Sequence, residues 1–179
     1  MKTIWIWFLF GSMMVYAGPL SKAYYAGGCF WGVEYHLEKL LGVKDVRSGY
    51  MGGMVKNPSY SQVSQGNTGH LESVEVTYDP SLISYETLTK AFFEIHDPTQ
   101  SDGQGPDIGE QYHSAIFVNN ESERRIVVSL IKQLRSYGYD VVTKVIPSTT
   151  FYPAEEYHQN YYVKHRKLPY CHGYVKRFK

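Results

Sequence analysis

The stretch Lys22-Ala23-Tyr24-Tyr25-Ala26-Gly27-Gly28-Cys29-Phe30-Trp31-Gly32-Val33 sets the architecture. Lys22 to Gly27 reads as a short strand, two glycines then turn the chain, and a helix begins at once with Val33, Leu37, Leu40 and Leu41 at i, i+4, i+7 and i+8. Gly42 is expected to end that helix. Cys29 therefore stands where a strand turns into a helix. Backbone N-H groups and the helix dipole at such a place stabilise a thiolate, so its pKa is expected below the usual value of about 8.5. Phe30 and Trp31 directly after it suit the cupping of a small apolar group, or equally the start of a buried helix.

Further along, Val43 to Tyr50 and Leu71 to Tyr78 read as strands, the second alternating Val74, Val76 and Tyr78 with Glu75 and Thr77. Ser84 can cap a helix carrying Leu88, Ala91, Phe92 and Ile95 on one face. Ala115 to Val118 is a buried-type strand, and Ser122 can cap a helix with Ile126, Leu130 and Leu134 that Gly138 ends. Val141 to Ile146 is another strand, and Pro153 to about His165 opens as a helix with Pro in its first turn. Residues 49–69 and 96–111 are long loops of the kind that carries function. Strands and helices mix without strict alternation, which predicts an α+β fold, a two-layer sandwich of a mixed sheet with packed helices and long active-site loops.

The chain has 179 residues with 43% hydrophobic content, enough for one core. Lys plus Arg (18) nearly balances Asp plus Glu (17) and no basic stripe is interleaved with aromatics, so no nucleic-acid partner is expected. Thr3 to Tyr16 is apolar and uncharged behind Lys2, at about 14 residues short of the roughly 20 a membrane span needs. Ending in Val15-Tyr16-Ala17, residues 1–17 read as a cleaved signal peptide and 18–179 as a single domain. Export to a periplasmic or extracellular space is expected, with an uncleaved anchor as the alternative. Both cysteines, Cys29 and Cys171, lie in the exported part, and in an oxidising compartment two cysteines usually form a structural disulfide.

Gly28-Cys29-Phe30-Trp31-Gly32-Val33-Glu34 resembles the nucleophile signature of the A-type peptide methionine sulfoxide reductases. The likeness continues through Gly49-Tyr50-Met51-Gly52-Gly53, Asn57-Pro58-Ser59-Tyr60, Thr68-Gly69-His70-Leu71-Glu72, His96-Asp97-Pro98-Thr99, Gln104 to Tyr112 and Ala154-Glu155-Glu156-Tyr157-His158-Gln159, covering Tyr24 to Tyr162. The resemblance implies thiol-dependent reduction of methionine S-sulfoxide, in proteins and as the free amino acid. In it Cys29 is the nucleophile, Phe30 and Trp31 wall the S-methyl pocket, and Glu72 protonates the sulfoxide oxygen. Tyr60 and Tyr112 hold that oxygen, and Asp107 is a polar group of the same site. A sulfoxide oxygen leaves only once protonated, so a carboxylic acid kept neutral by burial suits the role of Glu72. Leu71 stands where Ala is expected and His113 where Arg is common, and neither is a catalytic position.

Attack by Cys29 leaves a sulfenic acid, which a second thiol converts to a disulfide. Cys171 is the one other cysteine, in a tail expected to be irregular and flexible beyond Pro169, so it is the expected resolving residue. An external thioredoxin-type dithiol would then reduce the disulfide, with oxidised proteins or peptides as substrates, no bound cofactor, no metal and a monomeric enzyme. Two other readings compete. His158, His165 and His172 recur every seven residues beside Cys171, a spacing for a metal site that Pro169 and Gly173 interrupt. The 17 tyrosines could instead line an exported, disulfide-stapled binding module.

Overall fold

The structure is a computed structural model that describes residues 18–179; the expected signal peptide at 1–17 lies outside the described residues. In chain order the elements are β1 (Ser21–Gly27), α1 (Phe30–Leu37), β2 (Val43–Met51), α2 (Tyr60–Ser64), β3 (Leu71–Tyr78), α3 (Tyr85–Ile95), β4 (Gly103–Gln104) and β5 (Asp107–Ile108). They continue with β6 (Ser114–Val118), α4 (Glu121–Ser136), β7 (Lys144–Pro147), β8 (Tyr152–Pro153) and α5 (Tyr161–His165). Six strands form one sheet in the order β7-β6-β1-β3-β2-β8, antiparallel except for the β6/β7 pair, so the sheet is mixed as expected. β4 and β5 make a separate small hairpin.

Alternation along the strands divides the core. On one face Tyr25, Val74, Val76 and Ile116 pack against Leu88, Phe92 and Phe93 of α3 and Leu134 of α4. On the other, Ala26, Met51, Ala115 and Phe117 are covered by Tyr24, Leu71, Ile146 and Phe151. Truncating a fully buried aromatic such as Phe92 to Ala removes roughly 3 to 5 kcal/mol. The Tyr25 hydroxyl shares a hydrogen bond with Thr89 at 3.0 Å, and Thr89 donates to the Tyr85 carbonyl at 2.8 Å, so this polar pair in the apolar layer is satisfied.

Several boundaries differ from the sequence reading for identifiable reasons. α1 stops at Leu37, and Leu41 is exposed in the turn that follows. Gly42, with φ of 100°, makes the turn into β2 and accepts the Asp79 N-H at 2.8 Å. The cap of α4 lies two residues before Ser122, at Asn120, which accepts the Glu123 N-H at 3.0 Å. β7 starts at Lys144 rather than Val141, since the Val142 N-H goes to the Pro98 carbonyl. The expected helix from Pro153 to His165 is instead β8, a 3₁₀ turn (Glu156–His158) and α5, broken at Asn160 with φ of 54°. Gln159 holds it open: its side chain accepts the Ser48 N-H and donates to the Ser48 carbonyl, both at 2.9 Å.

The long loops acquire short elements. Ser59 and Gln62 form a capping box that starts α2 inside the first, and the β4/β5 hairpin projects Asp107 from the second. Beyond Pro169 the tail has neither helix nor strand. It is nevertheless anchored past Cys171, where the Val175 N-H donates to the Glu94 carbonyl at 2.7 Å, Arg177 donates to the Phe93 and His96 carbonyls, and Phe178 is buried in the main core.

Candidate active site

The site forms at the end of β1, where Gly28 adopts φ of 93° and turns the chain so that Cys29 caps α1. A Cβ at Gly28 would also strike the Gln104 side chain, so the β4/β5 loop packs directly on this turn. Cys29 is 7% exposed. Antiparallel pairing of β3 with β2 sets Glu72 opposite Tyr50, and its Oε2 accepts the Phe30 N-H at 3.1 Å, at the same helix start. Glu72 is 2% exposed, and burial pushes its carboxyl up to about 8 against the opposing pull of that N-H. It is therefore protonated at neutral pH, as an acid catalyst must be.

Cys171 comes to the same point from the tail. The Cys29 and Cys171 sulfurs and a carboxylate oxygen of Asp107 all lie within 4.8 Å of one another, and both cysteines are free thiols. The Tyr170 hydroxyl holds Asp107 through bonds of 3.0 and 3.3 Å. Burial, followed by the Glu72 charge, pushes the phenols of Tyr60 and Tyr112 up. Both keep their protons and remain donors. Phe30 is buried among Tyr50 and His158, while Trp31 is half-buried, stacked on Tyr161 at 3.6 Å between ring centroids.

The acidity of the two thiols departs from expectation. The helix start does act on Cys29 through a backbone bond at Trp31, but the hydrogen bond to Cys171, burial and the Glu72 charge outweigh it and push Cys29 up. Cys171 moves the other way, down, chiefly through its interaction with Cys29 and against the opposing effect of burial. Of the two, Cys171 is thus the more acidic thiol. Mapping of carbamidomethyl adducts on the reduced protein should place the more acidic of the two thiols at Cys171; an adduct confined to Cys29 would overturn this order.

His158 escaped the sequence reading except as a metal candidate. It is 1% exposed, its Nδ1 accepts the Trp31 Nε1-H at 3.1 Å, and it lies 4.5 Å from the Tyr60 ring. Glu155 accepts both the Tyr50 hydroxyl and the Tyr60 N-H at 2.9 Å. Between them these two fix Trp31 and Tyr60. The motif Ala154 to Gln159 was the available signal. The three regularly spaced histidines part company: His165 donates to the Tyr161 carbonyl within its own helix, and His172 donates from Nε2 to the Gly27 carbonyl at 2.7 Å. Free cysteines leave the stapled binding module without support.

The family model for peptide methionine sulfoxide reductase matches residues 21–179. A relative named peptide methionine sulfoxide reductase MsrA from Thermus thermophilus is 46% identical over 154 residues, 86% of this chain and 88% of that protein. Another, MsrA 1 of Rhodopirellula baltica, is 48% identical over 151 residues, 84% of this chain and 79% of its own. Among solved structures, yeast Mxr1 in reduced form superposes with a TM-score of 0.81 at 34% identity, covering 87% of this chain and 92% of that one. Methionine sulfoxide reductase A of Corynebacterium diphtheriae gives 0.74 at 35% identity, over 85% and 77%. With the family model matching residues 21–179, a range that includes Cys29, Glu72 and Cys171, and with relatives and solved structures of that name alike in sequence and fold, the chain belongs to the peptide methionine sulfoxide reductase family, in its A type.

Proposed function

We propose that Cys29, Glu72 and Cys171 carry thiol-dependent reduction of methionine S-sulfoxide in that order. The observation behind this is one helix start that holds a buried thiol, a neutral carboxylic acid and a second thiol together. Cys29 attacks the sulfoxide sulfur, and the proton that it gives up replaces the one that Glu72 spends. Glu72 protonates the departing oxygen. Tyr60 and Tyr112 donate to that oxygen, and Trp31 with Phe30 receives the methyl group. In net terms the oxygen moves from one sulfur to the other: the sulfoxide gains two electrons and becomes methionine, and the Cys29 thiol loses two and becomes a sulfenic acid.

Cys171 then displaces the sulfenic hydroxyl, giving a Cys29-Cys171 disulfide and water. Reduction of that disulfide by an external dithiol closes the cycle. Yeast Mxr1 has also been solved in complex with Trx2, which supports a thioredoxin-type donor here. The apolar segment Thr3 to Tyr16 supports export, so the donor would itself need a supply of electrons outside the cytoplasm. We also read the enzyme as a monomer acting on oxidised proteins and peptides, without a resident cofactor. The test is turnover on a racemic methionine sulfoxide peptide with dithiothreitol, following each epimer. Half of the substrate should be consumed, all of it the S epimer; equal loss of both, or none, overturns the reading.

A further inference from the structure

We propose that His172 is the base of the resolving step, taking the proton from Cys171 so that this sulfur can attack the Cys29 sulfenic acid. Hydrogen-bond logic fixes its tautomer. A carbonyl oxygen can only accept, so the 2.7 Å contact with Gly27 places a hydrogen on Nε2. Nδ1 is then the free lone pair of the neutral ring, and it lies 3.0 Å from the Cys171 sulfur. The ring is 8% exposed and lies against the backbone of Gly32, where any Cβ would fall inside it. Gly27, Gly32 and the dithiol together form a slot that presents one nitrogen to one sulfur.

The chemistry gives that nitrogen a task, on the reading of Cys171 as the resolving residue. After the reductase step Cys29 is a sulfenic acid, and Cys171 attacks it only as it gives up its proton. Cys171 now needs a base, and Nδ1 is in contact with it. As the sulfur-sulfur bond forms and the sulfur-oxygen bond breaks, the Cys171 proton passes to Nδ1, and the hydroxide leaves as water with a proton returned from the imidazolium. Cys171 is oxidised and the sulfenic sulfur reduced, so no other reactant is required.

The groups around the pair permit this transfer. His36 of α1 and His96 at the end of α3 are both pushed down by burial, so neither adds a positive charge beside an imidazolium. Arg177, further along the tail, acts on His96. Asp107 of β5 and Glu72 of β3 both interact with Cys171, and burial keeps Glu72 protonated at neutral pH. The phenols of Tyr162 and Tyr170 are pushed up and stay neutral.

His172→Gln is the informative substitution, because the amide can still donate to the Gly27 carbonyl but accepts no proton. In single-turnover mixing with a methionine-S-sulfoxide peptide, methionine release and disulfide formation are read separately. Disulfide formation should slow about tenfold or more at pH 7, with a dimedone-trappable sulfenic acid accumulating. Raising the pH to about 9 should restore most of the rate, since Cys171 then ionises unaided. Gly32→Ala, which displaces the ring without removing the imidazole, should show the same pH-dependent slowing. Slowing by one factor at every pH would mean that His172 only positions the tail, and an unchanged rate in both variants would overturn the proposal outright. Failure of Cys171→Ser to stall would instead remove the resolving role on which this rests.

Discussion

Glu72→Gln should slow single-turnover methionine release by about 100-fold or more at neutral pH while leaving the circular dichroism spectrum unchanged, because the amide fills the same space but has no proton to give. The size follows from the usual contribution of a positioned acid, about 10² to 10⁴ in rate. Its pH signature follows from burial. The acid form is the active one, and burial raises this carboxyl from about 4.5 to about 8. The wild-type reductase step should therefore be flat from about pH 5 to 7 and fall through about pH 8, and Glu72→Gln should lack that fall. The same shift acts on stability with a definite sign. Between pH 4.5 and 8 the folded state keeps a proton that the unfolded state has lost, so stability declines as pH rises across that window. Near wild-type release rates in Glu72→Gln at neutral pH would falsify the assignment.

The parts of this site that local sequence reveals are those fixed by local physics. The glycine turn before Cys29, the alternation of Val74 and Val76 along β3, and the Ser84 cap of α3 each involve neighbours within a few residues, and each is present as read. Residues 153–165 carried an equally plausible helical pattern, yet they are held open by Gln159 on Ser48 and Glu155 on Tyr60, partners about a hundred residues away. No periodicity can reveal such bonds. Glu72 shows the same divide, since an acidic residue in an alternating strand reads as a solvated charge until the sheet and α1 bury it.

The thiols carry this further. The helix-start bond at Trp31 does lower Cys29, as the glycine turn predicts. The opposing influence, the Cys171 sulfur, arrives from 142 residues away along the chain, beyond the reach of local sequence. His172 reads from sequence only as a metal candidate for the same reason: its tautomer is set by the carbonyl of Gly27, at the opposite end of the domain sequence. Reactive groups on tails are legible as residues but not as neighbours, and their chemistry depends on the neighbours.

Cys171→Ser separates a catalytic thiol from a structural one most sharply. Were the two cysteines a fixed staple, the variant would lose roughly 2 to 5 kcal/mol of stability and the wild type would show no free thiol. The structure holds both as free thiols, and the tail is secured without a disulfide by His172 on Gly27, Val175 on Glu94 and Arg177 on Phe93. The variant is therefore expected to keep its fold. It should release about one methionine per enzyme and then stall under a thioredoxin-type donor, with Cys29 as a sulfenic acid that dimedone labels. Against a wild type that cycles many times, this is the largest loss of turnover expected from any change outside Cys29 and Glu72. Because the two sulfurs already lie within 4.8 Å, closing the disulfide asks for only a local shift of the segment around Cys171 rather than release of the whole tail. Many turnovers by Cys171→Ser at the wild-type rate would show that the donor attacks Cys29 directly and that Cys171 is a bystander.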